Sequence, residues 1–319
     1  MSRLFFESTE TLVYDPIVAN RTATRAALFT LGFRHIETVA TLEAFRNAVS
    51  RRPPDLVLCE AQGADTQLCG MIQELRQGAG GSNPFIVIIV TAWEKSAALV
   101  TRVLDSGADD LLLRPFSTAL LGQRIETHVE RRKGFVVTSD YVGPCRRKDA
   151  SRPSASESFD PPNSLKLKAK DRLSPEEATA RLDAELKSAR NVLNVEKARR
   201  DAFQLAILWR LMQDTVPGAA SYRRELHNIG TLAEGIARRC AEMNVEMAEK
   251  WCDSILAAVE GLEAGVDRDA SMHLLGHAAL SLNQLFQSGK STTEILAEID
   301  ATVTIIRAQS PSTTVARAG

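Results

Sequence analysis

Polar and charged side chains stand at the ends of four short apolar runs: Asp15, Glu60, Thr91 and Arg114. The runs predict strands over Thr11–Asp15, Asp55–Cys59, Phe85–Val90 and Leu111–Leu113. If these strands are parallel, their carboxyl ends meet at the sheet edge where doubly wound folds bind ligands. Carboxylates can hold a metal ion, and an arginine fork suits a two-pronged bond to a carboxylate. We therefore expect Glu60 and Arg114 to lie together, with Asp15 and Thr91 beside them.

The elements that would position these side chains alternate regularly between strand-length and helix-length segments. Phe85–Val90 is rich in Ile and Val, as central strands are, and Gly107 is suited to end a helix. Five strands alternating with five helices predict an α/β fold, a doubly wound five-stranded parallel sheet covered on both faces. We assign this domain to residues 8–132.

The segment Ser106–Phe116 reads Ser-Gly-Ala-Asp-Asp-Leu-Leu-Leu-Arg-Pro-Phe. It resembles the last strand of bacterial response-regulator receiver domains, in which lysine, proline and an aromatic residue follow a similar Gly-Ala-Asp-Asp turn. The resemblance extends over the whole alternating region. It implies a flavodoxin-like fold and a role in two-component signal transduction.

The family's acidic positions are altered in this chain. In receiver domains two acidic residues end the first strand and help to hold magnesium. Here Asp15 matches one of them and Pro16 stands where the other would be. The phosphoacceptor aspartate of the family ends the third strand, and Glu60 occupies that place.

Three other positions of the family's cleft can be compared. Thr91 matches the Thr or Ser that ends the fourth strand, Arg114 replaces the lysine, and Leu111 replaces the aromatic switch residue. Arginine is planar and forked, so it does not substitute neutrally for lysine. The extra methylene of Glu60 moves its carboxylate by about 1.5 Å, and misplacements of about 1 Å can cost roughly a hundredfold in rate.

These departures predict a degenerate receiver, without ordinary aspartyl phosphorylation, with weak or no magnesium binding and with no other cofactor. Its output would be protein contact. Two alternatives remain for the cleft: a Glu60–Arg114 pair that mimics the phosphorylated carboxylate, or two solvated residues of a vestigial site. Since a partly exposed pair contributes roughly 0–1 kcal/mol, Arg114→Ala should barely change stability.

The remainder of the chain predicts a different architecture. Ser151–Pro162 is rich in Ser and Pro, so we expect residues 133–173 to form a largely flexible linker. A serine cap followed by Pro175 begins an all-α bundle or arm over residues 174–309, in which Tyr222–Lys250 is expected to be one helical stretch. Residues 310–319 are expected to be a disordered tail.

Two histidines at helical spacing, His273 and His277, could bind a metal on one helix face, although ordinary bundle histidines are the simpler interpretation. The surrounding stretch faintly resembles the His-x-Leu-Lys-Gly segment of histidine phosphotransfer bundles. Gly276 and His277 stand where lysine and glycine would be. An alternative function is therefore a phosphorelay protein whose helical half accepts phosphate on His273.

Composition limits the remaining function classes. The chain has 39 Lys and Arg against 40 Asp and Glu, so it carries no basic excess that would favour nucleic acid. Its apolar runs are too short to span a membrane, and five scattered cysteines fit reduced thiols in the cytoplasm. Nucleotide-binding and hydrolase motifs are absent, so we expect no enzyme. The expected partners are signalling proteins and a second copy of the chain. The long helix from Pro175 and the fourth and fifth helices of the receiver-like domain both offer surfaces for such a homodimer.

Overall fold

The computed structural model describes residues 4–78, 83–138, 141–146, 158–171, 173–287 and 289–309. The chain divides into two compact units, Met1–Arg190 and Asn191–Gly319. Within the described residues, no helix has the length and apolar character needed to cross a membrane.

The first unit contains a sheet and the helices that cover it. Its five long strands are β1 (Glu10–Tyr14), β2 (His35–Val39), β3 (Leu56–Glu60), β4 (Val87–Ala92) and β5 (Asp110–Leu113). The helices that alternate with them are α1 (Val18–Thr30), α2 (Leu42–Arg51), α3 (Asp65–Arg76), α4 (Ala97–Asp105) and α5 (Thr118–Glu130).

All neighbouring strands of this sheet are parallel, in the order β2-β1-β3-β4-β5. This is the flavodoxin-like order, in which the chain changes direction across the sheet after β2. Every residue of β3 and β4 is buried, since helices cover both sheet faces. The expected doubly wound fold is therefore confirmed for the N-terminal part of the chain.

Local sequence explains where the helices begin. Thr41, Ser96 and Ser117 each accept a hydrogen bond from the backbone N–H three residues later, which caps α2, α4 and α5. After α4 the chain turns at Gly107, whose φ of +84° is accessible to glycine at little cost. That turn leads directly into β5.

The segment after α5 differs from the expected flexible linker. It forms β6 (Phe135–Val137), β7 (Val142–Pro144) and the helix α6 (Ser164–Ala169). Phe135 and Leu165 are fully buried, and Leu165 belongs to the core on one face of the large sheet. We call the described residues 133–138, 141–146 and 158–171 the arm, a segment distinct from the helical arm expected over residues 174–309. Residues 147–157, which include much of the Ser- and Pro-rich stretch, lie outside the described residues.

A buried ion network ties the arm to the sheet. Asp109 accepts hydrogen bonds from Arg76 at 2.8 Å and from Arg132 at 2.8 Å, and all three side chains are at most 4% exposed. Both guanidinium groups lie over the ring of Phe135, at 5.2 and 4.9 Å. Burial raises the pKa of Asp109, but the two arginine charges outweigh it and leave that pKa lowered.

The second unit is helical. Its helices are the end of α7 (Pro175–Met212), α8 (Ala220–Met243), α9 (Glu246–Ala264), α10 (Arg268–Phe286) and α11 (Thr292–Gln309). The expected single stretch over Tyr222–Lys250 is wrong, because Asn244 takes the left-handed conformation, φ 56°, and separates α8 from α9. The predicted disordered tail, residues 310–319, lies outside the described residues.

Two contacts join α7 to α10 in this unit. Asn283, fully buried, donates from Nδ2 to the Ala202 carbonyl oxygen at 2.7 Å. The Trp209 indole donates to the Met272 carbonyl oxygen at 3.2 Å. A Cβ added to Gly276 would lie 2.4 Å from the Cζ2 atom of Trp209. Gly276 is therefore required for packing of the indole.

Candidate functional site

The four residues expected at the carboxyl edge do meet there. Asp15 directly follows β1, Glu60 is the last residue of β3, Thr91 lies near the end of β4, and Arg114 directly follows β5. Glu60 and Thr91 are partners in the β3–β4 register. Parallel pairing thus brings residues that are far apart in sequence to one edge.

Glu60 is held by three donors. Its Oε2 atom accepts hydrogen bonds from Thr91 Oγ1 at 2.7 Å and from Arg114 Nε at 2.7 Å, and its Oε1 atom accepts one from the Gln62 backbone N–H at 3.1 Å. The side chain is fully buried. A charged hydrogen bond in a dry environment is stronger than one in water, so this carboxylate is firmly oriented.

Arg114 spans both acidic residues. Its Nη2 atom donates to Asp15 Oδ2 at 3.1 Å and to Thr24 Oγ1 at 3.1 Å, while Nε binds Glu60. The guanidinium carbon also lies 4.9 Å from the centre of the Phe116 ring. The side chain is only 8% exposed, so this is a buried ion pair.

Asp15 has a partner for each of its carboxylate oxygens. Oδ1 accepts the Ile17 backbone N–H at 2.8 Å, and Oδ2 accepts Arg114. Burial raises the pKa of Asp15, the Ile17 hydrogen bond and the charge of Arg114 lower it, and burial prevails. Arg21 also lowers this pKa and donates a hydrogen bond to the Asp15 backbone carbonyl.

Sequence reasoning missed several residues that surround Arg114 and Asp15. Thr24 lies in α1 and is buried, and its only sequence signal is a hydroxyl on the buried face of a helix. Arg21, one turn earlier, gives no signal that points to the cleft. Phe116 was visible as the aromatic residue of the Arg-Pro-Phe segment, but not as a ring beneath the guanidinium.

Leu111 and Pro16, which differ from the residues of receiver domains at the corresponding positions, form no polar contact in the cleft among the described residues. Leu111 is partly buried and packs against the core beneath α4. Pro16 is exposed beside Asp15 and has no carboxylate to offer. The cleft therefore holds two acidic side chains, both in contact with one guanidinium.

The histidines of the second unit are exposed. His273 and His277 lie one turn apart on α10, and His227 lies on α8. The ring of His277 packs edge-on against Trp251, with the ring centres 5.4 Å apart. No group of three or more potential metal ligands occurs among the residues that the structure describes.

No protein-family model matches the chain, and no curated protein matches it. Among solved structures, the Vibrio cholerae chemotaxis protein CheY4 is 17% identical, and the match covers 38% of this chain and 98% of that protein with a TM-score of 0.34. A CheY-like receiver domain protein from Methanospirillum hungatei is 20% identical over 40% of this chain and 97% of its own, with a TM-score of 0.34.

An orphan response regulator of Helicobacter pylori is also similar, at 20% identity over 38% of this chain and 97% of that one, with a TM-score of 0.33. Identities at this level concern the fold alone. Independently of these matches, the parallel strand order β2-β1-β3-β4-β5 gives the N-terminal part of the chain the flavodoxin-like fold that the resemblance of Ser106–Phe116 implied.

Proposed function

We propose that this is a signal-transduction protein in which a degenerate receiver domain acts through protein contacts and not through aspartyl phosphorylation. The observation that carries this proposal is the position of Arg114, which donates to both Glu60 and Asp15. A cation supplied by the chain itself already offsets part of the negative charge of the two carboxylates, which would otherwise need a metal.

The donor set does not suit magnesium. Magnesium requires near-octahedral oxygen ligands at about 2.0–2.1 Å. All four carboxylate oxygens of Asp15 and Glu60 already accept hydrogen bonds. A magnesium ion would therefore have to displace buried hydrogen-bond donors from Asp15 and Glu60. Pro16, at the position of the family's second acid, would supply no further carboxylate ligand.

The burial of the pair favours one of the two interpretations of the cleft. Solvated, vestigial side chains would be exposed, whereas Glu60 is fully buried and Arg114 nearly so. Thr91 and Arg114 converge on the same oxygen of Glu60, and this links the ends of β3, β4 and β5. We propose that the pair holds the domain in one fixed conformation, which a partner protein recognises.

The experiment is a magnesium titration by calorimetry, together with incubation of the chain with acetyl phosphate and mass spectrometry. We expect no saturable heat and no mass increase of one phosphoryl group. A saturable magnesium signal with phosphate on Glu60 would show an active cleft. The partner can be sought separately by affinity capture on the wild-type chain.

A second candidate function is supported by the exposure of His273 on α10, because a phosphoaccepting histidine must reach solvent. The helical half would then take phosphate from a phosphorylated receiver. Incubation with a labelled, phosphorylated receiver domain tests this, with His273→Ala as the variant and His277→Ala as the matched control. Label lost only in His273→Ala would favour the phosphorelay.

The remaining expectations stay predictions. We propose that the chain itself catalyses no reaction. We also propose that its partners are signalling proteins. Homodimer formation through the long helix α7 is tested by sedimentation of the full chain at several concentrations.

A further inference from the structure

A cavity of about 340 Å³ opens beside the cleft, between the loop after β3 and the loop after β4. On one side it is lined by Gln62 of the first loop and Asp65, the first residue of α3. On the other side it is lined by Trp93 and Glu94 of the second loop and by Leu99 near the start of α4. This volume lies at the small end of ligand pockets, about 300–1,000 Å³, and suits a single side chain.

The walls combine an aromatic surface with negative charge. Trp93 is 44% exposed, an unusual exposure for an indole, and Leu99 is partly buried beside it. The two ionisable side chains that line the cavity, Asp65 and Glu94, are both acidic. Among the described residues, no Lys or Arg lines this cavity. A pocket with an exposed indole and carboxylates is complementary to an organic cation.

The two acids differ in their present partners. Asp65 is already ion-paired with Arg102, so one rim of the cavity binds a guanidinium of the chain itself. Glu94 is exposed and forms no ion pair within the described ranges. The unpaired carboxylate of Glu94 and the exposed indole of Trp93 line the same cavity, so a second cation that enters it can contact both.

We infer that this cavity receives an arginine side chain of a partner protein, stacked on Trp93 and paired with Glu94. Arginine fits better than lysine because its weakly hydrated, planar guanidinium stacks on indole and pairs with a carboxylate at once. This inference deepens the proposed protein-contact role, on which its biological meaning rests. The cavity itself does not depend on whether Glu60 is phosphorylated, so the magnesium experiment and the following one fail independently.

The experiment uses the full chain labelled with ¹⁵N-tryptophan, which has three indole resonances, from Trp93, Trp209 and Trp251. The Trp93 resonance is identified by its loss in Trp93→Phe. The probe is the peptide acetyl-Gly-Arg-Gly-amide, and its control carries citrulline, which keeps the shape and loses the charge. Glu94→Gln is compared with Glu43→Gln, which removes an exposed acid on α2.

We expect the arginine peptide to shift the Trp93 resonance saturably while Trp209 and Trp251 stay in place. Citrulline should cause no saturable shift. Glu94→Gln should weaken binding about two- to fivefold, the effect of losing a surface ion pair, and Glu43→Gln should not change it. An unmoved Trp93 resonance, an equal response to citrulline, or equal weakening by the two glutamine variants would overturn the inference.

Discussion

The Nε atom of Arg114 lies 2.7 Å from Oε2 of Glu60, although 54 residues separate them in the chain. The bond crosses from the end of β5 to the end of β3, past Thr91 of β4, which donates to the same oxygen. Since Glu60 is fully buried and Arg114 nearly so, each charge depends on the other for its solvation. The pair therefore contributes to the stability of the first unit, and the proposals on magnesium binding and partner recognition both depend on it.

Replacing Arg114 by alanine should destabilise the first unit by about 3–5 kcal/mol, because two buried carboxylates lose their cation. The earlier expectation of almost no change assumed a partly exposed pair, and the 8% exposure of Arg114 corrects it. The measurement is urea unfolding of the full chain, with hydrogen exchange of β3 amides to locate the loss. Arg124→Ala is the control, since its bond to Asp110 is exposed and contributes about 0–1 kcal/mol. Equal losses in the two variants would contradict the buried-pair argument.

The triple change Pro16→Asp, Glu60→Asp and Arg114→Lys should restore measurable magnesium binding and labelling by acetyl phosphate. It supplies the missing acid, shortens the acceptor and replaces the fork with a compact cation. Calorimetry and intact-mass spectrometry provide the readouts. The double variant without Pro16→Asp serves as control and should bind magnesium more weakly. If the triple variant folds but neither binds magnesium nor is labelled, these three residues do not explain the expected lack of phosphorylation.

Gly107→Ala should destabilise the first unit much more than Gly63→Ala does. Both glycines have a left-handed φ, +84° and +77°, so both variants incur the same backbone strain of about 1–2 kcal/mol. Only at Gly107 would the added Cβ lie 2.4 Å from the Val142 carbonyl oxygen of the arm. Thermal unfolding of the two variants measures the difference. Similar losses would mean that β7 does not pack on this turn.

Asp109→Asn should cost about 3–5 kcal/mol at neutral pH, because Arg76 and Arg132 would lose the buried anion between them. The folded pKa of Asp109 is lowered, so its contribution is present above the unfolded value of about 3.9 and is lost as pH falls through the folded pKa. The difference in free energy of unfolding between wild type and variant should therefore begin to narrow only below about pH 3.9. Urea unfolding at pH 7, 4 and 3 tests this, with Asp105→Asn, an exposed acid at the end of α4, as control. A gap that stays constant down to the most acidic condition, or a pH-dependent loss in the control, would argue against the charge mechanism.

In the second unit, Gly276→Ala should destabilise the helices, since the new Cβ would lie 2.4 Å from Trp209. Gly230→Ala in α8 is the matched control, because its Cβ would meet nothing within 4 Å and alanine favours a helix by about 1 kcal/mol. The expected signs are opposite, and circular dichroism during thermal unfolding reads both. A neutral Gly276→Ala would show that the indole can move aside.

The sequence alone was enough to predict the sheet and the position of its cleft. Runs such as Phe85–Val90 are apolar without interruption because both faces of a parallel strand are buried, and this pattern can be recognised in the sequence alone. Parallel strands end at one edge, so the meeting of Glu60 with Arg114 followed from their places after two strands. The sequence was therefore enough to predict that an acidic side chain and an arginine meet at that edge.

Only the tertiary structure decided how deeply the pair is buried and what orients it. Thr24 reaches Arg114 because α1 packs against β1 and β2, and no local pattern encodes a contact between residues 90 positions apart. The Ser- and Pro-rich stretch dominates the composition of residues 133–173, so composition alone predicts a flexible linker there. The described residues of the arm are held by contacts such as that of the Phe135 ring with Arg132, which binds Asp109, and these contacts form only once the chain has folded.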